Sequence, residues 1–223
     1  MTSIQTLDAA VVPTASAHVR LRPIYGSGAV IRDGLLADRQ RVNREVTLLH
    51  GAQELERAGT LDNLRIAAGL TSGERRGMVF SDSDVYKWLE ALAWEMAREP
   101  SPELDRLARE AIDLVSAAQE PDGYLNSWCQ VVDPAWRWTD LKMGHELYCA
   151  GHLIQAGVAF ARAMGDTSLL TVGRRFADLI DESLGSDARL HPDRTHHARH
   201  LRRSESHDLF RGGLDHAPFA AFS

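Results

Sequence analysis

The chain has 223 residues, 44% of them hydrophobic, and a formal net charge of −6. This is ordinary soluble globular composition, at a length for one domain or one domain plus a tail. The mild acidity argues against nucleic acid as a general partner, since phosphate binding needs a basic stripe, and no stretch approaches the ~18 apolar residues of a membrane span.

Residues 1–17 form a leader of small residues without Lys or Arg and without a long apolar run, so no signal peptide is read there. The two cysteines, Cys129 and Cys149, stand in no CxxC pattern. A reducing compartment is the default for such a chain, and the protein is read as cytoplasmic. Residues 18–32 alternate briefly and read as a short extended segment. A helix is expected over 36–58, with apolar contacts at Leu36, Val42, Val46, Leu49 and Leu55 and a stop at Gly59. Residues 60–80, with three glycines, read as loop.

Ser81 opens the next helix, with Asp84 at capping-box spacing. It runs to about Arg98 and is nearly apolar. Ser101-Pro102-Glu103 starts another, with Pro at the first helical position, and Glu120-Pro121-Asp122-Gly123 ends it in turn chemistry. A fourth helix covers 144–164 and stops at Gly165. Asp166 caps a fifth, with apolar positions at Leu169, Val172, Phe176, Ala177, Ile180 and Leu184. The body is therefore all-α and built of helical hairpins. Residues 186–223 hold six of the ten histidines and six arginines without helical periodicity, and read as a disordered or foreign tail.

The fourth helix begins with the densest chemistry, Gly144-His145-Glu146-Leu147-Tyr148-Cys149-Ala150-Gly151-His152. His145 and Cys149 share one helical face, and Tyr148 and His152 a neighbouring one. Polar groups are costly to bury unless something binds them, so this end suggests a cavity mouth. A metal at His145, Cys149 and His152 lacks a fourth ligand nearby. Two readings remain: a core helix with satisfied polar groups, or substrate hydrogen bonding by His145 and Tyr148. Cys149 reads as a small buried residue rather than a nucleophile.

Three other strings have a structural and a functional reading each. In Gln119-Glu120-Pro121-Asp122-Gly123-Tyr124, Asp122 can brace a turn and Tyr124 can stack on a sugar. Asp82 and Asp84 fit helix capping or hydroxyl recognition, but not a glycosidase acid/nucleophile pair, because adjacent caps do not flank a bond from two sides. Trp128, Trp136 and Trp138 serve either as sugar platforms or as anchors for their loop. His196, His197 and His200 in the tail lack a scaffold for a designed metal site.

The strings SDSDVYKWLEALAW, AQEPDGYLN, RWTDLKMGHELYCAGHLIQA and RRFADLI, in that order from about Asp33 to Leu184, resemble glycoside hydrolase family 127, the β-L-arabinofuranosidase-like family. The resemblance implies an (α/α)6 barrel and retaining hydrolysis of terminal β-L-arabinofuranosides or related sugars. It implies a zinc-bound cysteine as nucleophile, a glutamate as acid/base, and zinc ligands in a later part of the barrel. Neither Cys129 nor Cys149 matches those ligands, so no cofactor and no catalytic residue is assigned within this chain. His145 matches the family's sugar-binding histidine. Asp82, Asp84, Asp122 and Tyr124 match motif positions that line or brace the pocket.

Two departures stand out. Leu35-Leu36 follow Gly34 where the family usually has an aromatic pair. After the RRFADLI helix the chain reads Asp187-Ala188-Arg189-Leu190-His191-Pro192-Asp193, in place of the family's Gly-His-Pro-Glu, as if the reading frame had changed. The expected organisation is a leader over 1–32, the N-terminal part of an (α/α)6 barrel over 33–185, and a non-family tail over 186–223. Such a barrel takes twelve helices, and five or six are legible here. The incomplete barrel is expected to be inactive alone, its parent acting on a carbohydrate substrate. The alternative is a non-catalytic module that pairs with a complementing chain.

Overall fold

The computed structural model describes residues 16–20 and 30–185. Most of the leader, residues 21–29 and the tail from 186 lie outside the described residues. Within the segment expected to be extended, residues 18–20 and 30–32 form no strand. Every element among the described residues is helical.

Helix α1 (Gly34–Val42) passes through a π-helical turn (Asn43–Thr47) into α2 (Leu48–Arg57), so the helix expected over 36–58 is present. Its first half does not reach the core. Leu36, Val42 and Val46 are exposed and α1 buries no residue, contrary to the contacts expected from their spacing. Burial starts at Leu48 and Leu55. Arg44 ties the π turn to the rest of the molecule, pairing with Glu95 at 3.2 Å and donating to the Glu99 and Pro100 carbonyls.

The stretch read as loop holds a helix, α3 (Thr60–Ala67). Gly59, at φ 78°, ends α2 and starts α3. Eight residues make a marginal helix by themselves, and this one is held by burying Leu61 and Leu64. Helices α4 (Asp82–Arg98), α5 (Pro102–Ala118), α7 (Glu146–Met164) and α8 (Ser168–Leu184) match the remaining expectations. The Ser101 hydroxyl caps α5 by accepting from the Leu104 N–H. The capping box at Ser81 does not form: its side chain makes no cap bond, and its hydroxyl donates to the Met78 carbonyl. Between α5 and α7, the supposed tryptophan loop contains α6 (Ser127–Val131) and a 3-10 turn (Pro134–Trp136).

Helices α4 and α7 lie side by side and run parallel. Phe80 meets His145 before the two helices begin, Lys87 meets Tyr148 one turn in, and Glu90 meets Gln155 further along. Each is followed by a return helix, α5 or α8. The α7–α8 pair is antiparallel, with Gly157 against Leu170 and Ile154 against Gly173. Parallel inner helices with antiparallel returns are the repeat of an α/α barrel, of which these residues form an incomplete part. The core is shared along the repeat by Leu89 and Leu92 of α4, Leu153 and Phe160 of α7, and Leu169 and Phe176 of α8.

The α7–α8 contact is close enough to require glycine. A Cβ on Gly157 would lie 2.7 Å from the Leu170 Cα, which is backbone and cannot rotate away. Gly157→Ala is expected to destabilise the chain by about 1–3 kcal/mol through overpacking, measured by urea unfolding. An unchanged midpoint would mean that the two helices sit further apart.

Candidate functional site

The parallel arrangement brings the N-terminal ends of α4 and α7 together, and the polar strings of the sequence meet there. His145 caps α7 in a left-handed conformation, φ 54°. Its Nδ1 lies 2.7 Å from the Met143 carbonyl, and a carbonyl only accepts. Nδ1 therefore carries the proton, and a neutral His145 offers Nε2 as an acceptor. The ring packs against Phe80 (centroids 5.1 Å apart) and edge-on to Tyr148 (5.9 Å). Tyr148 is 44% exposed, stands edge-on to His152 at 4.6 Å, and has the Lys87 ammonium 5.3 Å from its ring centroid. Asp84, exposed on the first turn of α4, pairs with Lys87 at 3.3 Å. The result is a surface strip with an aromatic face, an imidazole acceptor, an ammonium and a carboxylate. Burial pulls Lys87 down, but Tyr148 and Asp84 outweigh it and hold the ammonium above its ordinary value. Burial and the nearby Lys87 lower the pKa of His152, which favours its neutral form.

Asp82 is not on this strip. It is fully buried, and its carboxylate accepts from the Ser127 N–H (2.6 Å) and the Ser127 hydroxyl (2.5 Å). Arg75 lies 3.9 Å from it and donates to Ser127 Oγ and to the Gly77 and Met78 carbonyls. Burial pushes Asp82 up, and the two bonds from Ser127, then Arg75, push back. This residue braces: it fastens the head of α4 to the head of α6.

Asp122 and Tyr124 are not on the strip either. Asp122 Oδ1 accepts from the Tyr124 N–H at 3.0 Å, the turn brace expected from the sequence, and Oδ2 accepts from Arg137 at 2.6 Å. Tyr124 is 1% exposed and presents no face to a sugar. Its ring packs edge-on to Trp138 and Phe176 with the Arg137 guanidinium 4.0 Å above it, and its hydroxyl donates to Glu146. Of the six residues singled out, His145, Tyr148 and Asp84 come together on the strip, while Asp82, Asp122 and Tyr124 lie off it, bonded to Ser127, to Arg137 and to Glu146 respectively. Among the tryptophans, Trp138 is buried, Trp128 packs against the core, and Trp136 stands edge-on to Trp128.

Four residues of this region are not marked as functional by the sequence. Phe80 and Lys87 lie inside a quoted string, but only the parallel packing of α4 and α7 aims them at Tyr148. Arg75 sits in a glycine-rich stretch without a motif. Glu146 carried one signal, a charged residue at the head of an apolar helix.

The cysteines are inert here. Cys149 Sγ lies 3.7 Å from the Phe80 carbonyl and Cys129 Sγ 3.9 Å from Glu146. Burial pushes the Cys129 thiol up to about 11 and the Cys149 thiol further still, away from the thiolate that binds zinc or attacks carbon. Among the described residues, no group of three or more His, Cys, Asp or Glu side chains is placed to hold a metal. These residues do not fit the zinc that the resemblance implies.

Comparison with known proteins places this architecture. The family model for the β-L-arabinofuranosidase GH127 catalytic domain matches residues 30–198. The chain belongs to the GH127 β-L-arabinofuranosidase family. A non-reducing end β-L-arabinofuranosidase from Bifidobacterium longum subsp. longum is 41% identical over 129 residues, which is 56% of this chain and 20% of that enzyme. The crystal structure of a GH127 β-L-arabinofuranosidase from Geobacillus stearothermophilus T6 matches with a TM-score of 0.66 at 41% identity, over 68% of this chain and 25% of the other. A second GH127 β-arabinofuranosidase structure matches with a TM-score of 0.65 at 27% identity, over 71% and 26%. The chain thus spans about a quarter or less of the length of these relatives.

Removing the Asp82 carboxylate would leave the Ser127 N–H and hydroxyl buried without their acceptor and the buried Arg75 without its counter-charge. Asp82→Ala is expected to cost about 3–5 kcal/mol of folding stability, read by thermal unfolding. A change below ~1 kcal/mol would show that the brace does not hold the two helix heads together.

Proposed function

We propose that this chain supplies the first part of a glycoside hydrolase barrel whose parent removes terminal β-L-arabinofuranosides or related sugars with retention of configuration. The observation that carries the reading is the strip formed by Phe80, Lys87, His145 and Tyr148 where α4 and α7 begin, in a chain of this family. In this proposal residues 33–185 are barrel and 186–223 a tail of another kind. His145 Nε2 accepts from a sugar hydroxyl, Tyr148 lies against the sugar ring, and Asp84 sets Lys87 at the rim. Asp82, Asp122 and Tyr124 act by holding these groups in place. Two buried free thiols suit a reducing compartment, which supports a cytoplasmic setting.

Nothing on the strip performs hydrolysis. Two carboxyl groups facing each other across a bond are the usual requirement. The strip offers Asp84, which is exposed and paired with Lys87. Both cysteines are sealed with raised pKa values. The nucleophile, the acid/base and the zinc cluster belong, in this proposal, to the later part of the parent's barrel, and the present chain binds sugar without turning it over.

A second reading is favoured by α1. Leu35, Leu36 and Val42 of α1 and Val46 of the π-helical turn leave apolar side chains exposed on two elements that bury nothing. Such a surface suits a segment that packs against more barrel, supplied by a complementing chain. A neighbouring reading frame encoding that remainder would support the pairing, and a monodisperse monomer would count against it.

The test uses methyl β-L-arabinofuranoside as probe. Titration into the isotope-labelled chain is expected to shift the resonances of His145, Tyr148 and Lys87. His145→Ala is expected to weaken binding about tenfold, some 1.4 kcal/mol. An aryl β-L-arabinofuranoside should not be hydrolysed. Shifts confined to other residues would overturn the binding site, and turnover by the purified chain would overturn the claim that it is inactive alone.

A further inference from the structure

Among the described residues, two non-glycine residues have positive φ, Trp138 at 62° and His145 at 54°. They stand at the two ends of one loop, 138–145. Left-handed backbone is disfavoured for a residue with a Cβ, and it persists only where surrounding contacts over-determine it. The residue that follows His145 in the chain reaches back to the other end. Glu146, next to His145 and 1% exposed, accepts from the Trp138 N–H through both carboxylate oxygens at 3.1 Å. The Tyr124 hydroxyl donates to the same carboxylate from the turn after α5. The loop between is tight: the Gly144 N–H donates to the Asp140 carbonyl at 2.7 Å, and a Cβ on Gly144 would meet that carbonyl at 2.8 Å and Glu146 Oε2 at 3.2 Å. Burial pushes Glu146 up, and the bonds from Tyr124 and Trp138 push back.

We infer that Glu146 is a positioning residue: its buried carboxylate, held by Tyr124, binds the Trp138 amide at the far end of loop 138–145, closes that loop onto the head of α7, and so fixes His145 as the Nδ1–H tautomer with Nε2 presented as an acceptor. The chain of contact runs from Asp122 and Arg137 through Tyr124 and Glu146 to the loop, and from the loop to the imidazole through the Met143 carbonyl. The consequence for specificity is chemical. Held this way, a neutral His145 takes a hydroxyl donor and cannot itself donate from Nε2. The use of that acceptor toward a sugar rests on the reading proposed above, whereas the tautomer itself does not.

The test needs no ligand. Long-range 1H–15N correlation spectra of the histidine-labelled chain are recorded at about pH 8, where an ordinary imidazole is neutral. His145 is assigned with a His145→Gln variant. The wild-type chain is expected to show His145 as one dominant Nδ1–H species. Glu146→Ala should convert it to a mixture with Nε2–H in the majority. Glu146→Gln, whose amide oxygen still accepts, should restore the wild-type pattern. Leu169→Ala destabilises the core away from the loop and should leave the tautomer unchanged. A folded Glu146→Ala chain that keeps the Nδ1–H form would overturn the inference, and so would a tautomer that shifts equally in Leu169→Ala. If Glu146→Ala does not fold, Tyr124→Phe is read instead: a measurable gain of Nε2–H supports the inference and an unchanged spectrum overturns it. A Glu146-dependent tautomer without arabinofuranoside-induced shifts would sink the sugar-binding reading and leave the positioning role standing.

Discussion

A carboxylate at the first position of a helix, buried and fastened across the chain, is the device on which the rest of this structure depends. It occurs twice. Asp82 opens α4 and Glu146 opens α7, and each is sealed from solvent. Each accepts one backbone N–H and one side-chain hydroxyl, from Ser127 alone in the first case and from Trp138 and Tyr124 in the second. The helix dipole favours negative charge at this end, and the hydrogen bonds offset part of the desolvation. Burying a carboxylate is nevertheless costly, and burial raises the pKa of both acids. What the expense secures is position: each carboxylate holds the head of an inner helix against the segment between α5 and α7.

That segment owes its shape to these anchors. Apolar packing along α4, α7 and α8 is ordinary helix-on-helix burial, and it holds the repeat together. It does not specify how the connecting loops are laid across the ends of the helices. The loop from Trp138 to His145 is laid by Glu146, and the turn before it is clamped by Gln119, which donates to the Gly123 and Val172 carbonyls, and by Arg175, which donates to the Glu120 and Pro121 carbonyls. The exposed strip of His145, Tyr148 and Lys87 therefore rests on a layer of buried polar groups, which in turn rests on the hydrophobic core. The order from core to surface is packing, then directional hydrogen bonds, then chemistry available to a ligand.

The same layering separates the parts of this chain that resemble a catalyst from the parts that do not. The family's fold is represented. The cysteines present are core residues with raised thiol pKa values, and the acids are braces or solvated ion-pair partners. Leu35 and Leu36 of α1 and Val46 of the π-helical turn lie exposed.

Much of this was legible in the order of residues. The helices α4, α5, α7 and α8, their hairpin order, the Asp122 turn and the pairing of Tyr148 with His152 follow from spacing and cap chemistry, because those are local properties of a backbone with a 3.6-residue period. Helix α3 escaped notice since eight residues followed by glycines carry too little periodic signal, and its stability comes from neighbours. Capping at Ser81 was read from spacing, yet the side chain turned to Met78 and Asp82 turned to Ser127, 45 residues away. Which of Asp82, Asp84, Asp122, Tyr124, His145 and Tyr148 face solvent and which lie beneath was decided by tertiary structure alone. A polar side chain's role depends on which distant donors reach it, and those donors are set by how α4, α6 and α7 pack, a property that no local stretch of sequence contains.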